Sequence, residues 1–186
     1  MKKTVDENIN ETRKRNKMFD QIERCEIDLQ KDPTNPSLHV RLGDLYLKWH
    51  LDIYNAGQFI DDAITEYQFA MESLLDSHEI FYKLGLAFYY KGDLDRAINY
   101  FTTALEKKNR YYEAYYMMAE TFVKKAHFTD AIDAAVAAIE CTKLGSSSAH
   151  YLLYKLYDAL SFKNPKRKLK AITEKLLSII LVPFDK

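Results

Sequence analysis

The sequence predicts an all-α protein: an α-solenoid of antiparallel helix pairs with capping helices at both ends. Three observations predict it. Small residues recur every 34 positions, as Ala63, Ala97 and Ala131 and again as Ala70, Ala104 and Ala138, and Met118-Ala119 repeats Leu84-Gly85 at the same step. A period of that size marks a stacked-repeat chain, in which no unit buries its apolar face alone. Apolar residues follow helical spacing, and no run alternates with period two between turn residues. Only five Gly and four Pro occur in 186 residues, and they punctuate the helical blocks.

Nine helices are expected, near 8–31, 36–54, 58–75, 78–91, 94–108, 111–125, 128–142, 146–161 and 165–181. The first stops at Pro33 and Pro36. Gly92-Asp93 separates the fourth from the fifth, with Gly ending one helix and Asp capping the next. In the fourth, Phe81, Leu84, Gly85 and Phe88 share one face; in the fifth, Ala97, Phe101 and Ala104 do. Small residues at Gly85, Ala97 and Ala104 let the two backbones approach. The sixth and seventh repeat this pattern with Tyr115, Met118, Ala119 and Phe122, then Ala131, Ala135 and Ala138. Gly145 and three serines precede the eighth, which carries Ala149, Leu152, Leu153 and Leu156. The ninth opens at Pro165 and ends before Pro183, with Leu169, Ile172, Leu176 and Ile180 on one stripe. That stripe suits a cap on the end of the stack; a dimer surface or a weak membrane contact is the alternative. Short connections make neighbouring helices antiparallel. Residues 1–7 are expected to be disordered and 8–186 to form a single domain, without a second.

Composition bounds the function. Lys and Arg balance Asp and Glu at 27 each, so no general charge drives the chain to nucleic acid or membrane. Cys25 and Cys141 form no CxxC pair and no metal-ligand spacing, which fits two small thiols in a reducing compartment. The segment MKKTVDENINETRKRNK lacks the apolar stretch of a signal peptide. No run approaches the roughly 18–20 apolar residues of a membrane span. A cytoplasmic protein without stable membrane insertion is expected. The phosphate loop GxxxxGK and the motifs GxGxxG, HExxH and GxSxG are missing, and the five histidines are dispersed. No catalytic residue, metal or cofactor is expected, and no enzyme.

The repeat from His78 resembles the tetratricopeptide repeat (TPR), whose pattern runs W-x2-L-G-x2-Y, then A-x3-F, then P. Here it reads Phe81-x2-Leu84-Gly85-x2-Phe88, then Ala97-x3-Phe101, with Asn109 in place of Pro. The next reads Tyr115-x2-Met118-Ala119-x2-Phe122, then Ala131, with Ala135 replacing the aromatic. The earlier one reads His39-x2-Leu42-Gly43-x2-Tyr46, then Ala63-x3-Tyr67. Gly43 to Ala63 spans 20 residues where Gly85 to Ala97 spans 12, so both helices of that unit should be a turn longer. The units lie at about 36–75, 78–109 and 112–143, with a partial fourth at 146–162, and QIERCEIDLQKDPTNP looks like the second helix of a preceding unit. The resemblance implies a right-handed superhelix.

It also implies a concave groove lined by the first helix of each unit. The groove positions are Val40, Asp44, Leu47 and Lys48; Glu79, Tyr82, Leu86, Tyr89 and Tyr90; Glu113, Tyr116, Glu120, Val123 and Lys124; and His150, Tyr154, Tyr157 and Asp158. Tyrosine offers large contact area at low entropy cost plus a hydroxyl, so this surface suits a peptide or protein ligand with apolar side chains. Mutual packing of the tyrosines is the structural alternative. Family members that hold acidic C-terminal tails of heat-shock chaperones use Lys and Asn in the groove. Val40, Asp44, Tyr82, Leu86, Tyr116 and Glu120 stand at those positions here, so such tails are not expected to bind.

Charge is uneven. Trp49 to Tyr82 holds seven acidic residues and no Lys or Arg, while Lys163 to Lys175 holds six basic residues and one acidic. Solvated faces explain this, or head-to-tail self-association does. The expected function is a protein-interaction module, a scaffold or adaptor. A small chaperone holding unfolded partner segments, laid out like the class II chaperones of type III secretion, is the second reading. A structural subunit of an oligomer, joined through its C-terminal helix or charged ends, is the third.

Overall fold

A computed structural model describes residues 5–52 and 57–141. Seven helices and no strands occur among them: α1 (Val5–Lys31), α2 (Pro36–Asp52), α3 (Gly57–Ser73), α4 (His78–Lys91), α5 (Leu94–Lys107), α6 (Tyr112–Lys124) and α7 (Phe128–Cys141). The two helices expected at 146–161 and 165–181 lie outside the described residues, as do residues 1–4 of the stretch expected to be disordered. The chain divides between Asn109 and Arg110 into two compact units, one carrying α1–α5 and the other α6 and α7.

Within the first unit, side-chain contacts fix the antiparallel order. Phe81, near the start of α4, lies under Lys107 at the end of α5, with Nζ 5.2 Å from the ring centre. Phe88, near the end of α4, lies under Arg96 at the start of α5, at 4.3 Å. The α2–α3 pair runs the same way: Trp49 meets Phe59 at 5.2 Å, and His39 stacks on Phe69 at 5.3 Å. α1 packs antiparallel on α2, joining Ile22, Cys25 and Leu42 in one core cluster. Both α2 and α3 span 17 residues where α4 and α5 span 14, close to the extra turn expected from the eight-residue insertion.

The small residues of the repeat are the points of closest approach. Ala63, Ala70, Ala97 and Ala104 are fully buried, beside Tyr67, Leu84, Phe88 and Phe101. A β-carbon on Gly43 would come within 2.6 Å of the Tyr67 ring. Gly43, like Gly85, is therefore required by a neighbouring ring and not by backbone conformation. In the second unit, Ala119, Ala131, Ala134, Ala135 and Ala138 pack with Ile132, Val136 and Ile139.

The turns are also repeated. After α4, Gly92 takes the left-handed conformation (φ 89°), and the Asp93 amide donates back to the Phe88 carbonyl at 2.9 Å. The Asp93 side chain then caps α5 by accepting from the Arg96 amide at 3.1 Å. After α6, Ala126 stands 34 residues beyond Gly92 and adopts a positive φ of 58°. The His127 amide repeats the bond, donating to the Phe122 carbonyl at 2.9 Å.

Candidate functional site

α4 carries two apolar stripes. Phe81, Leu84 and Phe88 are buried on one. Opposite them stand Glu79, Tyr82, Leu86 and Tyr90. Tyr82 and Leu86 are half-buried and Tyr90 is 39% exposed, so this stripe is only partly covered. The Tyr82 ring lies 5.9 Å from that of Phe101, which fixes its base. On α2, Val40 is half-buried, and Asp44 and Lys48 are exposed. Two expected groove residues differ. Leu47 and Tyr89 are buried, at 8% and 9% exposure. They lie at the border of the stripe, where the helical turn brings the side chain into the core; Tyr89 meets Tyr90 edge to face at 5.2 Å.

Asp44 is a junction between repeats. Its Oδ1 accepts from the Tyr67 hydroxyl of α3 at 2.7 Å and from Lys83 Nζ of α4 at 2.6 Å. The Lys83 ammonium also lies 6.0 Å from the Tyr67 ring centre. Burial, then the charge of Asp44, pushes the Tyr67 hydroxyl far above its ordinary pKa, so it remains a donor. The groove carboxylate at Asp44 is thus neutralised by its own chain. Lys83 escapes the sequence reading because it stands 39 positions from its partner.

In the second unit, Tyr116 is half-buried, stacks on Tyr112 at 6.0 Å and donates to Glu120 Oε1 at 3.1 Å. Val123 is half-buried, while Glu113 and Lys124 are exposed. His150, Tyr154, Tyr157 and Asp158 lie outside the described residues, as does the basic segment 163–175.

Neighbouring helices answer much of the acidic stretch. Asp52 pairs with Lys14 at 3.0 Å, Asp61 with Lys91, Glu66 with His39 at 2.7 Å, and Asp76 with Lys107 at 3.8 Å. Cys25 is buried and donates to the Leu38 carbonyl at 3.6 Å; burial raises its pKa and that of Cys141, so neither is an activated thiolate. Among the described residues, no three His, Cys, Asp or Glu side chains converge as metal ligands, and no helix is long and apolar enough to cross a membrane.

Comparison with solved structures finds the same fold. A crystal structure of MamA matches with a TM-score of 0.69 and 20% identity, over 97% of this chain and 99% of that one. The Sgt2 TPR domain from Aspergillus fumigatus matches at 0.61 and 16% identity, over 69% of this chain and 81% of that one. The first TPR of Spaghetti (RPAP3), bound to the HSP90 peptide SRMEEVD, matches at 0.60 and 17% identity, over 68% and 93%. These likenesses establish an all-α solenoid fold and no more. No curated protein matches the sequence. The tetratricopeptide repeat family matches residues 54–109 and 82–149, spanning half of the chain. With the 34-residue step, the Gly–aromatic contacts and the antiparallel pairs in place, the chain belongs to the tetratricopeptide repeat family.

Proposed function

We propose that this chain is a protein-interaction module, a scaffold or adaptor. Within the first unit it holds a peptide or protein segment against the tyrosine-bearing first helices of its repeats, through Tyr82, Leu86 and Tyr90 on α4; in the second unit Tyr116 on α6 offers a contact of its own. The observation that carries this reading is the second stripe of α4. It leaves Tyr90 exposed and Tyr82 and Leu86 only half-buried on a helix whose other stripe is already filled by Phe81, Leu84 and Phe88. Aromatic surface that stays partly exposed after folding supports a binding role. Val40, Lys48 and Glu79 form the polar and aliphatic margin in the first unit, and Glu120, Val123 and Lys124 flank Tyr116 in the second. Leu47 and Tyr89 act from beneath by positioning their neighbours.

A partner with apolar side chains suits this surface better than an acidic tail. The neighbour bound to SRMEEVD takes an acidic peptide. The family resemblance puts Asp44 and Glu120 where members that hold acidic tails use Lys and Asn, and in this chain Asp44 already occupies Lys83.

Photo-cross-linking tests the site. A photoreactive residue at position 82, 90 or 116 should capture one partner from cells, and one at exposed Phe69 should not. Capture from 69 alone would move the site off the tyrosine stripe. Capture of many unrelated unfolded chains from 82 and 90 would favour the chaperone reading over a single-partner adaptor.

A further inference from the structure

His39 occupies the side of α2 turned away from Val40, Asp44 and Lys48. It lines one side of an open surface cavity of about 380 Å³, together with Glu26 of α1, Pro33 of the α1–α2 turn, Tyr46 of α2 and Glu66 of α3. Both ring nitrogens are engaged. Nδ1 lies 2.7 Å from Glu66 Oε2, and Nε2 lies 2.9 Å from the Pro33 carbonyl oxygen. A carboxylate and a carbonyl can only accept. A neutral imidazole has a single N–H and satisfies one of them; the imidazolium satisfies both. The side chain is 13% exposed and stacks on Phe69.

The Glu66 carboxylate and the Pro33 carbonyl favour that charge. Glu66 faces it from α3, and Glu26 from α1 across the cavity, held by the Tyr46 hydroxyl at 2.8 Å. In the turn, Asp32 accepts from the Asn35 side chain at 2.9 Å. No Lys or Arg lines the cavity.

We propose that His39 is a proton-operated latch between the α1–α2 turn and α3, closed while both ring nitrogens carry protons and released at the turn when one proton leaves. The proton that remains stays with Glu66, the charged and stronger acceptor. The bare Nε2 lone pair then faces the Pro33 carbonyl, so the turn moves away and the cavity gains one negative charge. The release is local. Asn35 Oδ1 still caps α2 by accepting from the Ser37 and Leu38 amides at 3.0 and 3.3 Å.

The direction of titration agrees with the geometry. Burial works against the charged ring, but the Glu66 hydrogen bond, the Pro33 carbonyl and the Glu66 charge outweigh it. The pKa rises from its ordinary 6.5. A raised folded value means that the latch contributes fully below the unfolded pKa and is lost as pH climbs through the folded one. Release therefore falls on the alkaline side of 6.5.

Imidazole ¹⁵N NMR on the full chain, titrated from about pH 5 to about pH 9, reads the latch directly. The expected result is a His39 midpoint above 6.5, with the Thr34 and Asn35 amide shifts moving at the same midpoint. Glu66→Gln should lower that midpoint. A wild-type midpoint at or below 6.5, or turn amides that do not follow the ring, would overturn the latch. The wild-type titration decides alone if Glu66→Gln does not fold.

Discussion

The ring of Phe101 lies so close to Gly85 that a β-carbon there would meet Cδ1 and Cε1 at 2.5 Å. The first full repeat shows the same relationship between Gly43 and Tyr67. In the third, both partners change together: Ala119 stands for the Gly and Ala135 for the aromatic, and both are fully buried. One methyl is gained on α6 where a whole ring is lost from α7, while the spacing of the repeat is kept.

This exchange predicts non-additive stability. Gly85→Ala should lose about 1–3 kcal/mol by overpacking, and Phe101→Ala about 3–5 kcal/mol by leaving a cavity. The double variant copies the Ala119–Ala135 pair and should lose less than the sum, because the new methyl fills part of the vacated space. Urea denaturation of the four proteins measures this. Strict additivity would mean that the two positions do not share one packing site.

Ala126 should be improved by glycine. Its positive φ is costly for any residue with a β-carbon, and Gly92 occupies the equivalent turn one repeat earlier. Relief of roughly 1–2 kcal/mol of left-handed strain exceeds the roughly 0.4–1 kcal/mol of added unfolded-state entropy. Ala126→Gly should therefore raise stability by about 0.5–1 kcal/mol, seen as a higher Tm. A lower Tm would contradict the turn geometry.

Removing either end of the Tyr67–Asp44 bond should have unequal effects. Tyr67→Phe deletes a hydrogen bond whose acceptor still reaches solvent, and should lose about 1 kcal/mol. Asp44→Ala strands the hydroxyl of a fully buried tyrosine and should lose more, about 1–3 kcal/mol. Equal losses would show that the hydroxyl finds another partner.

Asp93 gives a pH signature. The Arg96 amide, then the Arg96 side chain, lowers its pKa from 3.8. A lowered folded value means that its contribution is present above the unfolded pKa and is lost as pH falls through the folded one. Asp93→Ala should lose about 0.5–2 kcal/mol near neutrality, and its gap from wild type should narrow in acid. Asp93→Asn, still a good cap, should keep most of the stability. Thermal melts across that range check both statements.

The sequence made the repeats legible because their signals are local. Ala97 and Ala104 lie one turn-pair apart on a single helix, and Gly92-Asp93 marks a helix end by its own chemistry. The α4 and α7 starts, at His78 and Phe128, match those expected. Burial at the margin of a stripe was less legible. Leu47 and Tyr89 occupy groove positions by count, yet their exposure depends on how deeply the neighbouring helices nest. Contacts between distant positions were not legible at all. His39 fills the slot of the pattern's tryptophan and stacks on Phe69 as an aromatic would, but its two hydrogen bonds depend on Pro33 and Glu66. The pairing of Asp44 with Lys83 joins side chains of α2 and α4, which α3 separates in the chain.

The most direct test of the account is partner capture from a lysate of the source organism. Wild type would be compared with a Tyr82→Ala, Tyr90→Ala, Tyr116→Ala variant whose helicity and Tm are checked first. Tyr89 is left intact, because it is buried and its loss would leave a cavity. The account predicts a partner recovered by wild type and lost by the folded variant. A partner recovered equally by both would contradict it and place binding elsewhere on the molecule.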